Sequence, residues 1–274
     1  MKKLAVIGHP VAHSLSPLIH NHWIAEFGFD AHYEAIDITP AHLKTELQSL
    51  VRDGYCGFNV TLPHKVSVMN LCDTVDDTAK RIGAVNMISV DGDGDLHGFN
   101  TDSFGFIENI KAQKPDFDFT KKRAVILGAG GATRAIIDGL IQQHTPYITI
   151  LNRTRAKAED LAQSYDIGVI DWDDRNAALE GAGLLINATS LGMAGQPDLD
   201  IDLEALSSNA IVADIVYKPL MTDLLKQAKA RGGSVVTGLG MLLQQARPSF
   251  REWFGVMPEL DEALINKIQN KACV

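Results

Sequence analysis

The chain has 274 residues, 46% hydrophobic and 22% charged, a balance typical of a folded protein with a substantial core. A formal net charge of −9 argues against a broad nucleic-acid surface, which needs clustered Lys and Arg. Its cysteines, Cys56, Cys72 and Cys273, are odd in number and far apart, which argues against a disulfide framework or a zinc site. We expect reduced thiols, a cytoplasmic location, and neither a signal peptide nor a membrane span.

The chain begins with a pattern typical of a buried strand at residues 4–7, followed by a helix over residues 16–27. Ser16 followed by Pro17 is typical of a helix start, with Ser16 as the N-cap and Pro17 at the first helical position. Ser14 and Ser16 would then lie at a helix N-terminus, which favours an anion such as a ligand carboxylate. The alternative is that Ser16 only caps the helix.

Residues 31–38 predict a second strand and residues 41–52 an amphipathic helix, and a third strand then leads to Asn59, Thr61 and Lys65. Strand, helix and strand at this spacing predict parallel pairing, and ligands bind at the carboxyl ends of such strands. This end would present two neutral hydrogen-bonding groups and one ammonium group. Such a cluster suits a small polyhydroxylated ligand and a proton transfer. The alternative, which the stretch taken alone favours, is a strand cap with a solvated lysine.

Several histidines in the first quarter of the chain invite a metal hypothesis. His20 and His22 are two residues apart on a predicted helix and do not face each other. No acidic residue lies among His9, His13, His20 and His22 in the sequence. We therefore predict no metal site.

A helical segment is predicted over residues 74–82, and a hairpin then turns at residues 91–94. The two hairpin strands carry Asn86 before the turn and Asp102 after it, so both are candidates for the same ligand-binding edge. The alternative for Asp102 is an N-cap of the helix that follows.

A connection at residues 115–122 separates this half from a second series of strands and helices. Residues 123–127 form a buried strand that enters a glycine-rich turn at residues 128–132 and then a helix. This context is required for a dinucleotide fingerprint, in which backbone N–H groups hold a pyrophosphate. Thr133 occupies the place of the third glycine.

The strand at residues 147–151 ends in a basic segment where an NAD site would place an acid, about 20 residues past the glycines. Asn152 is followed there by Arg153, Arg155 and Lys157. Guanidinium groups match a phosphate dianion, so the segment predicts NADP. The alternative is a solvated basic helix start, which the helix dipole disfavours. Further strands are predicted at 168–171, 184–187, 210–214 and 234–237 with helices between them, and the last two helices at 238–254 and 259–270.

Seven stretches stand in one order along the chain: Gly8-His9-Pro10 with His13-Ser14-Leu15-Ser16-Pro17, Asn59 to Lys65, Gly83 to Asn86, Gly98 to Asp102, Gly128 to Ala132, Asn152-Arg153-Thr154, and Gly238-Leu239-Gly240-Met241 with Gln245. Together they resemble the shikimate dehydrogenase family over essentially the whole chain. The resemblance implies two α/β domains with the active site in the cleft between them. A substrate-binding domain with a mixed, mostly parallel sheet would cover residues 1–101 and 239–274, and a Rossmann-like NADP domain residues 102–238.

The resemblance also implies an oxidoreductase that uses NADPH to reduce 3-dehydroshikimate reversibly to shikimate, in aromatic amino acid biosynthesis. Lys65 and Asp102 would be the catalytic pair. Substrate binding is implied for Ser14 and Ser16 (carboxylate), for Asn59, Thr61, Asn86 and Gln245 (ring hydroxyls), and for Tyr217, Lys65 and Asp102. Cofactor binding is implied for Asp77, Gly128, Ala129, Gly130, Gly131, Ala132, Asn152, Arg153, Thr154, Arg155, Lys157, Thr189, Ile215, Gly238 and Met241.

Thr237 departs from the family pattern, since many members carry an acid there, and this affects a hydrogen bond near the nicotinamide rather than the reaction. Three other functions stay open: a quinate/shikimate dehydrogenase using NAD, a non-catalytic NADP-sensing module, and a folate-pathway dehydrogenase of similar architecture. Arg153 argues against NAD, and Lys65 with Asp102 argues against a sensor. We expect a small-molecule substrate, no nucleic-acid or membrane partner, and a monomer or homodimer.

Overall fold

The computed structural model describes residues 1–272, so that Cys273 and Val274, the end of the predicted 239–274 segment, lie outside the described residues. The chain forms two compact units. Unit 1 comprises Met1–Asp102 and Leu243–Ile268, and unit 2 comprises Ser103–Leu242 and the chain from Gln269. The sequence prediction places the corresponding boundaries after residues 101 and 238.

Strands and helices follow one another along the chain in this order: β1 (Lys2–Gly8), α1 (Ser16–Glu26), β2 (Ala31–Asp37), α2 (Leu43–Arg52), β3 (Tyr55–Val60), β4 (Thr74–Val75), α3 (Asp77–Ile82), β5 (Met87–Val90), β6 (Leu96–Phe99), α4 (Asp102–Gln113), β7 (Arg123–Leu127), α5 (Gly131–Gln142), β8 (Tyr147–Leu151), α6 (Arg155–Tyr165), β9 (Gly168–Val169), β10 (Ala182–Asn187), β11 (Ile211–Asp214), α7 (Asp223–Ala230), β12 (Ser234–Val236), α8 (Leu239–Phe254) and α9 (Glu262–Ala272). None of the helices within residues 1–272 combines the length and the apolar character needed to cross a membrane.

The sheet of unit 1 has six strands in the order β2-β1-β3-β5-β6-β4. β1 pairs in parallel with both β2 and β3, while β5 pairs antiparallel with β3 and β6. The predicted mixed sheet is therefore confirmed, including the hairpin of β5 and β6. Because β1 and β3 run side by side in the same direction, the segments that follow Gly8 and Val60 leave the sheet at one edge.

The sheet of unit 2 has six strands in the order β12-β11-β10-β7-β8-β9, and every pair is parallel. The strand order reverses between β7 and β10, since the chain runs outward through β8 and β9 and then returns to the other side of β7. A crevice for a ligand opens at such a switch point, at the carboxyl ends of the two strands. Buried aliphatic side chains such as Val125, Ile126 and Ile186 fill the sheet interior.

The helices predicted between β9 and β10 and between β10 and β11 are wrong. Two short 3-10 helices, Trp172–Asp174 and Ala177–Leu179, precede β10, and residues 188–210 contain no α-helix. Gly192 and Gly195 there adopt positive φ, which interrupts any helix. The apolar residues that follow alternate with aspartates and pack on the sheet as an extended segment; they are Leu199, Ile201 and Leu203.

The helix predicted over residues 74–82 is also too long, because β4 occupies its first two residues. Asp76 caps the shorter helix α3, and its side chain accepts a hydrogen bond from the backbone N–H of Ala79 at 2.7 Å. Gly83 then ends α3 with φ 72°.

Candidate functional site

A lysine and an aspartate from separate segments of unit 1 form a hydrogen-bonded pair. Lys65 follows β3, and its Nζ donates to Oδ2 of Asp102, the first residue of α4, at 2.5 Å. The other carboxylate oxygen accepts from Nδ2 of Asn86 at 2.8 Å. The side chain of Asp102 is 10% exposed, whereas that of Lys65 keeps 22% of its surface accessible. Lys65 can therefore exchange a proton with a ligand while Asp102 holds it in place.

Asn86 connects this pair to the last part of the chain. Its Nδ2 also lies 3.0 Å from Thr101 Oγ1 and 3.5 Å from Gln245 Oε1, and its Oδ1 accepts from the backbone N–H of Thr101 at 2.8 Å. Thr101 Oγ1 also lies 3.3 Å from Gln245 Oε1. The structure thus brings Lys65, Asn86, Asp102 and Gln245 together as the sequence predicts. Thr101 also belongs to this network, although it was not predicted as a site residue. Its position between Asn100 and Asp102 in the sequence could have indicated it.

Asn59, the penultimate residue of β3, is 5% exposed and has a partner at each end of its carboxamide. Its Oδ1 accepts from the phenol of Tyr33 at 2.7 Å. Its Nδ2 donates to Ser249 Oγ at 3.0 Å and to the backbone carbonyl of Asn86 at 3.4 Å. Sequence reasoning missed both Tyr33 and Ser249, because each lies inside a regular element with no motif around it.

One face of α8 supplies the side chains that reach this part of unit 1. Gln245, Ser249 and Trp253 are spaced four residues apart and therefore share a face. Trp253 Nε1 donates to the backbone carbonyl of Ile88 at 3.1 Å. This hydrogen bond holds the last of the three side chains against β5. Gly57 on β3 leaves the room for this indole, because a Cβ at that position would clash with its ring.

The two serines lie at the start of α1, but Ser16 is not the N-cap. Helix α1 begins at Ser16 itself, and the preceding residue, Leu15, takes the N-cap position without a side-chain hydrogen bond. Ser14 supplies the missing acceptor instead, since its Oγ accepts from the backbone N–H of Ser16 at 3.3 Å. Thr61 lies just beyond β3, where its N–H donates to the carbonyl of Ile7 on β1 at 2.9 Å.

The glycine-rich turn of unit 2 connects β7 to α5, as predicted. Gly128 adopts φ 108°, and a side chain there would meet Thr189 at 2.8 Å and the backbone of Ala188 at 3.0 Å. Thr133 is completely buried, accepts from the N–H of Gly130 at 3.1 Å and donates to the carbonyl of Gly128 at 3.0 Å. The buried side chain of this threonine thus bridges two backbone groups of the turn, which explains why it can replace the third glycine of the fingerprint.

Asn152, directly after β8, is part of this turn, because its Oδ1 accepts from the N–H of Ala129 at 3.1 Å and its Nδ2 donates to the carbonyl of Thr154 at 2.8 Å. The N–H groups of Gly131 and Ala132 at the first turn of α5 have no intrahelical acceptor and can receive a phosphate.

The basic segment after β8 contains cations in two different states. Arg155 is already neutralised, since its guanidinium contacts Glu159 at 2.7 Å and Asp171 at 2.5 Å. These acids raise the pKa of Arg155, and Asp171 makes the larger contribution. Arg153 and Lys157 are exposed and form no side-chain ion pair within residues 1–272. They are therefore the cations free to meet an anionic ligand.

A buried network fixes the loops after β10 and β11. Asp214 is 2% exposed; its Oδ1 accepts from Asn187 Nδ2 at 3.1 Å, and its Oδ2 accepts from Thr222 Oγ1 at 2.7 Å. Burial raises the pKa of Asp214, and these hydrogen bonds oppose that rise. Asn187 in turn accepts from Thr189 Oγ1 at 2.7 Å. Thr189 is thereby held beside the turn at Gly128.

The remaining predicted cofactor residues of unit 2 cluster at the junction of β12 and α8. Gly238 lies so close to the carbonyl of Ile215 that no Cβ fits there. Met241, one turn later, packs with Ile215 on the same apolar core. The carbonyl of Thr237 accepts from Asn109 Nδ2 at 2.9 Å. Tyr217, predicted to touch the substrate, is half-buried in unit 2, and burial raises the pKa of its phenol.

Comparisons with known proteins agree with this arrangement. Family models described as "Shikimate dehydrogenase substrate binding domain", "Shikimate / quinate 5-dehydrogenase" and "Shikimate 5'-dehydrogenase C-terminal domain" match residues 6–88, 110–194 and 238–263. A protein of Paramagnetospirillum magneticum named "Shikimate dehydrogenase (NADP(+))" is 48% identical over 263 residues, which are 94% of this chain and 95% of that protein. The chain belongs to the shikimate dehydrogenase family.

Solved structures of this family and of a related enzyme share the whole fold. The shikimate 5-dehydrogenase of Thermus thermophilus, solved with NADP(H) and shikimate, is 36% identical with a TM-score of 0.88, and the match covers 99% of this chain and all of that one. The quinate dehydrogenase of Corynebacterium glutamicum, solved with NAD, is 28% identical with a TM-score of 0.90, and the match covers 98% of each chain. The predicted two-domain α/β fold is therefore confirmed.

One predicted cofactor residue stands apart from the others in the chain. Asp77 belongs to unit 1, where it begins α3 with an exposed side chain and lies 3.5 Å from Lys80 Nζ. The other predicted cofactor residues belong to unit 2. A role for Asp77 in cofactor binding stays a prediction of the family resemblance.

His22, for which the sequence predicts no metal, has two acidic neighbours in the structure. The ligand atoms of His22, Glu26 and Asp261 lie within 4.8 Å of one another. Asp261 caps α9 by accepting from the N–H of Leu264 at 2.6 Å and accepts from His22 Nε2 at 3.0 Å. Both contacts lower the pKa of Asp261, the backbone contact more. A helix-capping aspartate that is hydrogen bonded to a histidine accounts for this group.

Proposed function

We propose that the chain catalyses the reversible, NADPH-dependent reduction of 3-dehydroshikimate to shikimate in aromatic amino acid biosynthesis. The observation that carries the proposal is the hydrogen-bonded set of Lys65, Asp102 and Asn86 in a chain 48% identical to an NADP shikimate dehydrogenase. A lysine held by a carboxylate beside amide and hydroxyl groups provides both a proton and the contacts that a small polyol acid requires.

The substrate would be held by polar side chains from three parts of unit 1. Ser14 and Ser16 at the start of α1 offer hydroxyl groups to the carboxylate, and the nearby helix N-terminus favours its negative charge. The amides and hydroxyls of the sheet edge and of α8 would bind the ring hydroxyls; they are Asn59, Thr61, Asn86 and Gln245.

The residues of unit 2 fit a dinucleotide phosphate. A turn in which Gly128 has φ 108° and no room for a side chain lets the backbone approach a pyrophosphate. The exposed cations Arg153 and Lys157 suit the additional phosphate of NADP, while Asn152 orders the turn. When bound, the cofactor supplies the hydride that reduces the ketone.

Lys65 would deliver a proton to the oxygen that becomes the new hydroxyl group, and its positive charge stabilises that oxygen as negative charge develops on it. Asp102 orients the ammonium group and balances its charge through the 2.5 Å hydrogen bond. Asn86 holds Asp102 in turn. General acid–base assistance of this kind is worth about 10²–10⁴ in rate.

Spectrophotometric reduction of NADP⁺ by the purified protein tests the proposal, with shikimate and quinate compared and with NAD⁺ as the second cofactor. We expect turnover confined largely to shikimate with NADP⁺. Comparable turnover of quinate, or a preference for NAD⁺, would overturn the specificity and assign the protein to the quinate/shikimate branch. Binding of NADP⁺ without turnover of either substrate would overturn the enzymatic function and favour a sensor.

We also propose a cytoplasmic monomer or homodimer. The free thiols of Cys56 and Cys72 support a reducing compartment. Light scattering after gel filtration would measure the oligomeric state, and a larger assembly would contradict the proposal.

A further inference from the structure

Tyr33, in the middle of β2, has no place in the reaction as described. It contacts Asn59, which is predicted to bind the substrate. Its side chain is 1% exposed, and its hydroxyl donates to Oδ1 of Asn59 at 2.7 Å. Asn59 is itself 5% exposed, so its contacts are with protein groups on nearly every side. The orientation of this carboxamide is therefore decided by its buried neighbours.

These neighbours permit one orientation of the Asn59 carboxamide. The backbone carbonyl of Asn86 can only accept hydrogen bonds, so the side-chain NH₂ of Asn59 must face it, at 3.4 Å. Ser249 Oγ accepts from the same NH₂ group at 3.0 Å. The oxygen of the carboxamide is then left facing Tyr33, whose hydroxyl must donate to it. A flipped carboxamide would set its oxygen against the Asn86 carbonyl and lose both donations.

Tyr33 is itself fixed by its surroundings. β2 is the edge strand of the sheet, and the side chain of Asn21 on α1 binds the backbone of Tyr33 through both polar groups. Asn21 Nδ2 donates to the Tyr33 carbonyl at 2.7 Å, and Asn21 Oδ1 accepts from its N–H at 3.1 Å. The phenol ring stacks on His20 with centroids 4.4 Å apart and an interplanar angle of 15°. Tyr33 is therefore held through its backbone, its ring and its hydroxyl group.

The protonation states keep Tyr33 a donor. Burial raises the pKa of Tyr33 well above its ordinary value. Burial also lowers the pKa of the stacked His20 to about 3, so this imidazole is neutral at working pH. Tyr33 thus keeps the proton that its hydroxyl donates to Asn59, a residue predicted to bind the ring hydroxyls.

We propose that Tyr33 is a positioning residue for substrate binding, which together with Ser249 sets the carboxamide of Asn59 before the substrate arrives. This inference rests on the proposed function, because it assigns Asn59 to the substrate. Tyr33 acts only through Asn59 and takes no part in the proton transfer. Its removal therefore affects binding of the substrate and leaves the chemical step and the cofactor unaffected.

The first test is Tyr33→Phe, which keeps the stacked ring and removes the donor. Loss of a buried donor leaves Asn59 Oδ1 without a partner, and we expect KM for shikimate and its Kd by calorimetry to rise about tenfold. The values of kcat and of KM for NADP⁺ should stay within about twofold. The matched control is Tyr55→Phe, which removes a 2.6 Å hydrogen bond to Glu34 elsewhere in the same sheet. This control should leave all four values unchanged.

The second test asks whether Tyr33 acts through Asn59. In an Asn59→Ala background, Tyr33→Phe should raise KM no further, because the group it positions is absent. An effect of Tyr33→Phe that persists in that background would overturn the positioning role, as would an unchanged shikimate KM in the single variant. Ser249→Ala should raise the shikimate KM in the same way as Tyr33→Phe, and no change there would remove Ser249 from the proposal.

The outcomes separate this inference from the proposed function. A wild-type protein that neither binds nor oxidises shikimate overturns the function itself. If the wild-type protein does both and Tyr33→Phe has the same KM and Kd for shikimate as the wild type, the positioning role alone is overturned.

Discussion

The ammonium group of Lys65 and the carboxylate of Asp102 are hydrogen bonded at 2.5 Å, with side chains only 22% and 10% exposed. Lys65 follows β3 and Asp102 begins α4, so 37 residues separate them along the chain. The second oxygen of Asp102 is held by Asn86. A pair enclosed in this way keeps one geometry, which a proton donor needs in order to act on a bound ligand.

Lys65→Ala tests this pair. We expect kcat to fall by about 10²–10⁴ while the Kd for shikimate changes little, because the lost group acts mainly in the proton transfer. Steady-state kinetics combined with calorimetry measures both quantities. Lys44→Ala removes an exposed lysine from α2 and should leave both unchanged. Undiminished turnover in Lys65→Ala would remove Lys65 from the mechanism.

The two arginines after β8 should contribute differently to cofactor choice. Arg153→Ala should raise KM for NADP⁺ about tenfold and leave KM for NAD⁺ unchanged, because only NADP⁺ carries the additional phosphate. Arg155→Ala is the matched control, since Arg155 is already paired with Glu159 and Asp171. It should have a much smaller effect. Equal effects of Arg153→Ala on both cofactors would argue against a phosphate contact.

Gly57 should tolerate no side chain. Gly57→Ala drives a Cβ into the ring of Trp253, which is 5% exposed and cannot move away freely. We expect a loss of about 1–3 kcal/mol in the free energy of unfolding, measured by urea denaturation. Gly92→Ala is the control, because a Cβ at Gly92 meets no atom within 4 Å. Equal stability of the two variants would contradict the packing of α8 described above.

His20 should make the stability of the protein depend on pH. Its pKa is about 3 in the folded chain, against 6.5 for a solvent-exposed imidazole, because burial disfavours the imidazolium. Below pH 6.5, His20 binds a proton in the unfolded chain but stays neutral in the folded chain. The free energy of unfolding therefore falls as the pH decreases toward 3. Between pH 7 and pH 5 this costs about 2 kcal/mol.

The variant His20→Phe keeps an aromatic ring beside Tyr33 and removes the titration. Its free energy of unfolding should decrease less than that of the wild type between pH 7 and pH 5, by about 2 kcal/mol. Urea denaturation at the two pH values measures the difference. The rest of the chain is the same in both proteins and cancels in the comparison, so an identical pH dependence would show that His20 is not buried in its neutral form.

Much of the site could be predicted from local patterns. The alternation of strands and helices, the glycine-rich turn before α5, and the basic segment after β8 are each contained within a few residues, and local periodicity and turn chemistry determine them. Asp102 ends a polar run directly after β6, Asn86 directly precedes β5, and Lys65 follows β3 by five residues. Their position near strand ends is what made them candidate ligands.

Other features required the tertiary structure. Tyr33 and Asn59 are 26 residues apart, and Asn59 and Ser249 are 190 apart. Residues 188–210 carry no α-helix, because Gly192 and Gly195 adopt positive φ and the apolar residues that follow pack on the sheet. Arg155 differs from Arg153 only in its acidic neighbours, one of which, Asp171, follows β9.

The sequence by itself determined most of the strands and helices, which polar residues end the strands, and which cofactor the basic segment prefers. The tertiary structure decided which buried groups pair with one another. The physical reason is that backbone geometry depends on neighbours along the chain, whereas a buried hydrogen bond depends on strand order and helix packing. Tyr33 on β2 and Asn59 on β3 meet because the strand order places only β1 between them.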